Sequence, residues 1–500
     1  MTGRAHTPVI LVVLMAVTAA AMLLPAAVGF TLREHALARA FLYSSVLLGG
    51  ITTLLYLATR AVSRVPRSMA HPFSILTLTY FLLPCLMAIP LTEAVPGISF
   101  GDAWFEMLSA FTTTGASVLE GEVSRSLHLW RATVSWGGGL FILVSVMALL
   151  APLNLGGVEL FRGQFSDGTS PVQDFRRATL GEVDAQDRTL QRLRDQVRLV
   201  APFYTGLTLL LWVALSMAGN PPLIALMLAM STVSTSAIAP EGALTSVLSE
   251  SLIACVMVFA LSRRFWPGAR ALAEAGSRKR HDPELLLATG VITIVVGAMV
   301  FRSVFVHSSL SFSDQLAMIW AHGFTALSFL TTTGFVSTAS GGLETVFSGP
   351  SGMVALGLAL FGGGVATTAG GLKLLRIVAL GWQAQREVSK LVYPESIGGD
   401  GPRLRALRRE GAFSAWLFLM IFIFSLTILS ATLTISGLTL EDALVFSVAA
   451  LTTTGPLPEI AASAPLQWTG LSDLQKTLLG VGMLMGRLEL LLLISVFWRR

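Results

Sequence analysis

Four short apolar segments of this chain stop at a run of hydroxyl residues, and each lies between two apolar stretches long enough to cross a bilayer. The runs are Phe111-Thr112-Thr113-Thr114-Gly115, Val233-Ser234-Thr235-Ser236, Leu330-Thr331-Thr332-Thr333-Gly334 and Leu451-Thr452-Thr453-Thr454-Gly455. About a dozen apolar residues precede each, too few to cross about 30 Å of hydrocarbon as a helix. Such a segment enters the membrane and turns back. Counting from 115 to 236, 334 and 455, the spacings are 121, 98 and 121 residues. The chain therefore reads as a fourfold repeat of helix, half-helix, loop and helix.

Composition agrees. With 53% hydrophobic and 13% charged residues and a mean hydropathy of +0.72, 500 residues cannot be covered by polar surface as soluble domains. Ten spans are expected, near 8–30, 40–61, 72–92, 128–152, 197–218, 243–262, 284–304, 351–383, 411–436 and 473–497. The fold class is an all-α polytopic membrane protein, with ten transmembrane helices and four re-entrant pore half-helices in pseudo-fourfold units around one pore. A two-helix extension (1–67) comes first, then unit 1 (68–156), a cytoplasmic linker (157–195), unit 2 (196–268), unit 3 (282–390) and unit 4 (408–500). Pro8 to Phe30 is read as a span rather than a signal peptide, because nine more follow. Cys85 and Cys255 fall within apolar spans and are read as small core residues.

Charge gives the orientation. With the N-terminus inside and ten crossings, the inner segments hold 27 of the 34 Lys and Arg. The outer loop tips carry Glu93, Glu120, Glu122, Glu241, Glu344 and Glu459. This positive-inside bias puts both termini in the cytoplasm and all four runs on the outer face. It also accounts for the net charge of +5 without nucleic acid. The polar stretch 157–195 is either a solvated linker or a docking surface.

Non-helical backbone at membrane depth is tolerated only where protein or a water-filled path satisfies it. Four such loops facing one axis present backbone carbonyls that replace the hydration shell of a monovalent cation. Threonine adds hydroxyls, and glycine permits positive φ. The candidate ion-binding residues are thus Thr113, Thr114, Gly115, Ser234, Thr235, Ser236, Thr332, Thr333, Gly334, Thr453, Thr454 and Gly455, with K⁺ as the expected ion. Half-helix C-termini add partial negative charge toward it. Asp102 and Asp442 are placed to cap half-helix starts.

The eighth span contains Gly362-Gly363-Gly364-Val365-Ala366-Thr367-Thr368-Ala369-Gly370-Gly371, which cannot hold a straight helix. It is read as a break lining the passage. Close helix packing through small residues is the competing reading. Gly362, Gly363, Gly364, Thr367, Thr368, Gly370 and Gly371 are its gate candidates. Arg487 sits mid-span, where an arginine needs a wet cavity or a partner. Beneath a cation site it sets an electrostatic barrier; a buried ion pair is the alternative. Lys476, near the outer end of the same span, is expected to snorkel. His-Glu-x-x-His and Gly-x-Ser-x-Gly are absent, the histidines are scattered, and no cofactor or enzyme activity is expected.

Together these residues resemble the TrkH/KtrB/HKT superfamily of cation transporters, in its TrkH-like branch. The resemblance rests on Leu129-Trp130-Arg131 with Trp136-Gly137-Gly138, the Thr-Thr-Thr-Gly runs, Thr368-Ala369-Gly370-Gly371-Leu372-Lys373 with Arg376, His281-Asp282-Pro283-Glu284, and Gly486-Arg487-Leu488-Glu489. It implies K⁺ or Na⁺/K⁺ translocation, a homodimer with one pore per protomer, a glycine-broken gate in unit 3 and a pore-facing Arg487. It further implies an inner-membrane location and a separate cytosolic, nucleotide-binding regulatory ring of TrkA type. Two departures stand out. Ser236 occupies the place of the second loop's usual glycine, and Ala366-Thr367 replace Gly-Ser in the gate. In the plant branch, serine at a filter glycine of the first unit goes with Na⁺ preference. A Na⁺-permeable or weakly selective transporter is therefore the alternative expectation.

Overall fold

The computed structural model describes residues 7–61, 72–119, 121, 123–150, 184–240, 242–244, 246–267, 282–306, 312–339, 352–392, 402–462 and 464–488. The linker portion 157–183, the loop-tip residues Glu120, Glu122, Glu241 and Glu344, His281 and Glu489 lie outside the described residues. Every regular element among those described is helical.

The N-terminal extension is α1 (Thr7–Ala21), α2 (Leu23–Thr31) and α3 (His35–Ala61), packed through Phe41, fully buried, against Trp130 at 5.5 Å between ring centroids. Unit 1 comprises α4 (Pro72–Ala94), the half-helix α5 (Phe100–Phe111) and α6 (Arg125–Ser145), which continues as a π-helical turn over Val146–Leu150. Unit 2 comprises α7 (Asp184–Met217), α8 (Pro222–Ser234) and α9 (Val247–Met257). Unit 3 comprises α10 (Pro283–Val306), α11 (Phe312–Leu330), α12 (Gly352–Phe361) and α13 (Leu374–Val392). Unit 4 comprises α14 (Pro402–Ile435), α15 (Leu440–Thr452), the short α16 (Leu457–Ala461) and α17 (Asp473–Arg487).

Among the described residues, seven helices are long and apolar enough to cross a membrane: 10–31, 35–58, 76–94, 125–148, 191–217, 283–302 and 415–435. Expected spans six and eight take another form. The sixth is an α-helix of only 11 residues, followed by a 3₁₀ turn over Val258–Ala260. The eighth is interrupted: α12 stops at Phe361, and helix resumes only at Leu374. The third half-helix is longer than its counterparts, 19 residues against 12 and 13. Helix α7 begins at Asp184, inside the stretch expected to be linker. Many large apolar side chains point outward, among them Val46, Leu54, Leu210, Ile294 and Phe424, as a lipid-facing surface requires. Cys255 is exposed and Cys85 half-buried, so neither is the core residue expected.

The half-helices start on hydroxyl caps, which corrects the role expected for the aspartates. Ser99 and Thr439 are the N-caps, accepting the backbone N–H of Asp102 at 3.0 Å and Asp442 at 3.2 Å. Both aspartates sit three residues in, in the first turn, where negative charge meets the positive end of the helix dipole. Asp102 also ties unit 1 to unit 4. Its Oδ1 accepts from Lys476 Nζ at 2.5 Å, so Lys476 is paired rather than snorkelling. Burial pushes the Asp102 carboxyl up, but hydrogen bonds from Lys476 and Ser99 outweigh it and hold the group below its usual range.

Candidate functional site

All four half-helices end in the same turn, and its backbone fixes which residues correspond. Thr113, Thr235, Thr332 and Thr453 have φ of 59°, 57°, 55° and 55°. Helices commonly stop on a left-handed residue, but that residue is usually glycine, and a β-branched side chain there is a true outlier. The next residue then bonds back five positions: Thr114 N–H to Ser109 O (2.8 Å), Ser236 to Ser231 (3.0 Å), Thr333 to Ser328 (2.8 Å) and Thr454 to Ala449 (2.9 Å). The hydroxyls flanking the left-handed threonine join in each turn, Thr112 with Thr114, Ser234 with Ser236, Thr331 with Thr333 and Thr452 with Thr454, at 2.9–3.1 Å.

This correspondence corrects the expected register of the second loop. Ser236 matches Thr114, Thr333 and Thr454. The glycine position of Gly115 (φ 81°) and Gly334 (φ 97°) is filled in unit 2 by Ala237, with φ 49°. The repeat ends are therefore 115, 237, 334 and 455. The signal was present in the sequence, since Ser-Thr-Ser-Ala keeps three hydroxyl residues before a small one. Alignment on the motif's last hydroxyl-bearing residue displaced it by one.

The turns interlock. A Cβ on Gly115 would lie 1.9 Å from the Ser236 carbonyl oxygen, one on Gly455 2.2 Å from Ala116 N, and one on Gly334 2.8 Å from the Pro456 ring. Gly455 N–H donates to Thr114 O at 2.6 Å. Turn 1 thus touches turns 2 and 4, and turn 3 touches turn 4. Units 2 and 3 are joined by Glu250 of α9, fully buried. Its carboxylate accepts from Trp320 Nε1 (2.8 Å), Ser337 Oγ (2.6 Å), Thr338 N (2.7 Å) and Thr338 Oγ1 (3.1 Å) of unit 3. In turn 4 the Gly455 carbonyl also accepts from Trp468 Nε1 at 3.0 Å, which leaves it a second lone pair.

The residue three after the glycine position leaves the cluster differently in alternate units. In unit 1, Val118 N–H donates to Glu106 Oε2 at 2.9 Å, and the other oxygen of Glu106 forms an ion pair with Arg131. In unit 3, Ser337 N–H donates to Thr325 Oγ1 at 3.3 Å, and Thr325 occupies the position matching Glu106. In units 2 and 4 the residue is Pro240 or Pro458, which has no N–H to satisfy. Sequence reasoning missed Glu106 and Glu250. Their signal was a carboxylate within an apolar segment, which requires a partner.

The 362–373 break lies against these turns. Its φ is positive at Gly362, Ala366, Gly371 and Lys373. Gly370 N–H donates to Thr332 Oγ1 at 2.7 Å, and a Cβ on Gly370 would lie 2.1 Å from Thr452 O. Thr368 Oγ1 donates to Val233 O at 3.3 Å. Arg487, at the end of α17, is 4% exposed and donates through Nη1 to Thr368 O at 2.6 Å. Among the described residues its Nε and Nη2 have no hydrogen-bond partner. A small cavity beneath the break is lined by Thr367, Gly370, Lys373, Arg376, Phe418 and Arg487, with the Arg376 guanidinium 3.7 Å above the Phe418 ring. Gly363 and Gly364 face unit 2. The described residues contain no group of three or more His, Cys, Asp or Glu able to hold a metal ion.

No protein-family model matches the chain. The Trk system potassium uptake protein TrkH of Vibrio parahaemolyticus is 27% identical over 441 residues, covering 85% of this chain and 86% of its own. TrkI of Halomonas elongata is 27% identical over 476 residues, with 90% of each chain covered. TrkH of Escherichia coli K12 is 27% identical over 499 residues, with 96% of each covered. The crystal structure of the potassium transporter TrkH from Vibrio parahaemolyticus superposes over the full length of both chains with a TM-score of 0.76 at 23% identity. In sequence over nearly its whole length, and in fold, this multi-pass membrane protein is similar to the Trk system potassium uptake proteins.

Proposed function

We propose that this chain takes up K⁺ through a passage whose selective element is the cluster of four turns. The observation that carries this is the close approach of residues 114–116, 236, 334 and 455–456, backbone to backbone except where Gly334 meets the Pro456 ring, four stretches spread over some 340 residues. Carbonyl dipoles gathered in this way hold a dehydrated monovalent cation without a fixed charge, and four half-helix C-termini add negative potential. The 362–373 break acts as the gate, and Arg487 beneath it as the electrostatic barrier. The chain crosses the membrane ten times with both termini cytoplasmic, and the membrane potential drives the cation inward with about 2.3 kcal/mol per charge per 100 mV. The chain works as a homodimer with a separate nucleotide-binding regulatory ring of TrkA type, in a bacterial inner membrane. The relatives' names support potassium uptake, and the lysine–arginine bias supports the orientation.

A second reading, Na⁺ permeation or weak selectivity, is favoured by one observation. Ala237 takes the position that is glycine in the other three turns, at φ 49°. Tracer competition in proteoliposomes tests both. Rb⁺ uptake suppressed by excess K⁺ but not by Na⁺ is expected, and equal suppression by the two selects the second reading. Failure to support growth at low K⁺ in an uptake-deficient strain, with membrane expression verified, would defeat the transport reading itself.

A further inference from the structure

The inner side of the 362–373 break is fastened to a turn that belongs to unit 2. Gly364 N–H donates to Ala260 O at 2.9 Å, and Thr367 Oγ1 donates to the same oxygen at 3.1 Å. A Cβ on Gly363 would lie 2.7 Å from Ala260 O, and one on Gly364 2.4 Å from Leu261 O, so the two backbones are in direct contact. The next residue of the break, Val365, donates its N–H to Glu284 Oε1 at 2.9 Å. Glu284 is 2% exposed, at the start of α10.

The 260–264 turn and the start of α10 are themselves joined. Ser262 Oγ donates to Asp282 Oδ2 at 2.5 Å, and Arg264 Nε lies 3.3 Å from the same oxygen. Asp282 Oδ1 accepts Glu284 N–H at 3.1 Å. The break, the end of unit 2 and the start of unit 3 thus form one hydrogen-bonded knot. A glutamate at this depth is costly unless its oxygens are used, and one of them is used on the backbone of the break.

We propose that Glu284, together with the Ala260–Ser262 turn, is the latch that holds the break in its packed conformation. Glu284 is then a positioning residue, acting on the break rather than on the ion. That the latched state is the closed one rests on the reading of the break as a gate. A two-state element shifts only by the difference in interaction between its states. Removing one hydrogen bond changes such a balance by roughly tenfold.

The test uses a reporter on the break. In a background with Cys85 and Cys255 replaced by serine, Ala369→Cys places a thiol on the cavity beneath the break, and its reaction with a small methanethiosulfonate is timed in vesicles. Glu284→Ala and Ser262→Ala should each speed modification about tenfold. Glu284→Gln, which keeps an acceptor oxygen for Val365 N–H, should stay within about twofold of the parent. If Glu284→Ala fails to fold, Ser262→Ala carries the test, since it severs the tie to Asp282 and the bond from Arg264 N–H but leaves Glu284 in place. Parental rates in both alanine variants, or equal acceleration in Glu284→Gln, overturn the proposal. Rb⁺ flux through the same vesicles separates it from the transport reading. A silent parent with the alanine–glutamine pattern intact leaves the latch standing and removes transport.

Discussion

The left-handed threonine is the residue on which each turn depends, and its conformation is costly. A non-glycine residue held at positive φ carries about 1–3 kcal/mol of strain, and here the same strain recurs at Thr113, Thr235, Thr332 and Thr453. It persists because the flanking hydroxyl pair and the five-residue back-bond both need that reversal. Ala237 adds a fifth such residue at φ 49°, and in this position its methyl has no role in the hydrogen bonding of the turn. Ala237→Gly should therefore stabilise the protein by up to about 1 kcal/mol and raise the Rb⁺ over Na⁺ flux ratio. Ser236→Gly should do neither, because it deletes the hydroxyl bonded to Ser234 at 3.1 Å. Melting in detergent and paired tracer fluxes measure both. A selectivity gain in Ser236→Gly alone would return the specificity argument to that residue. The sequence could carry three of the four turns in register because Thr-Thr-Thr-Gly repeats literally. The fourth was displaced because hydroxyl and small residues substitute for one another without changing the hydrogen bonds, and only φ tells them apart.

Elements are held to one another by carboxylates in places where apolar contact alone would leave backbone unpaired. Glu250 shows this best. It is fully buried at the junction of units 2 and 3, with one donor from the half-helix α11 and three from the segment leaving turn 3. Glu250→Ala strands Trp320 Nε1, Ser337 Oγ and Thr338 N–H, each at about 1–3 kcal/mol. It should lower the melting temperature and weaken ion discrimination. Glu250→Gln retains an acceptor and should be intermediate in both. An alanine variant that melts and discriminates like the parent would show the carboxylate to be dispensable. At the junction of units 1 and 4, Asp102–Lys476 makes a pH-dependent tie. The Asp102 carboxyl is held below its usual range. The pair therefore contributes stability above the ordinary carboxylate value and loses it as pH falls through the lowered one. Parent protein should outlast Asp102→Asn at neutral pH, and the difference should close in acid. A gap in melting temperature that stays constant from pH 7 to pH 3 would contradict this. None of these pairings was legible in the chain, because their partners lie 70 to 374 residues apart and no local pattern links them. What hydropathy did carry was the sequence of helices and the four half-helix ends. It failed at spans six and eight, where an apolar stretch of spanning length is cut by a 3₁₀ turn or a glycine-rich break.

At the scale of the whole molecule, the parts converge on the 362–373 break. It takes a hydrogen bond from or gives one to unit 2 (Val233 and Ala260), unit 3 (Thr332 and Glu284) and unit 4 (Arg487). Two of these contacts, at Val233 and Thr332, reach the turn cluster or its half-helices directly, so the break cannot move without releasing groups that shape the turns. Arg487 is the contact of greatest consequence. It is a buried guanidinium with one N–H on the Thr368 carbonyl and two nitrogens unbonded among the described residues, and in the proposed passage its charge opposes a cation held by the turns. At an effective dielectric of about 20, two like unit charges about 8 Å apart repel by about 2 kcal/mol, a factor of roughly thirty in occupancy. Arg487→Ala removes that opposition and also frees the Thr368 carbonyl, so basal Rb⁺ flux should rise by one to two orders of magnitude. Arg487→Lys keeps the charge but not the planar donor geometry. It should therefore retain most of the barrier while loosening the break, which the Ala369→Cys reaction rate reports independently of flux. Flux in Arg487→Ala equal to that of the parent would remove the arginine from the conduction path. A rise of equal size in Arg487→Lys would assign its effect to the hydrogen bond on the break rather than to its charge.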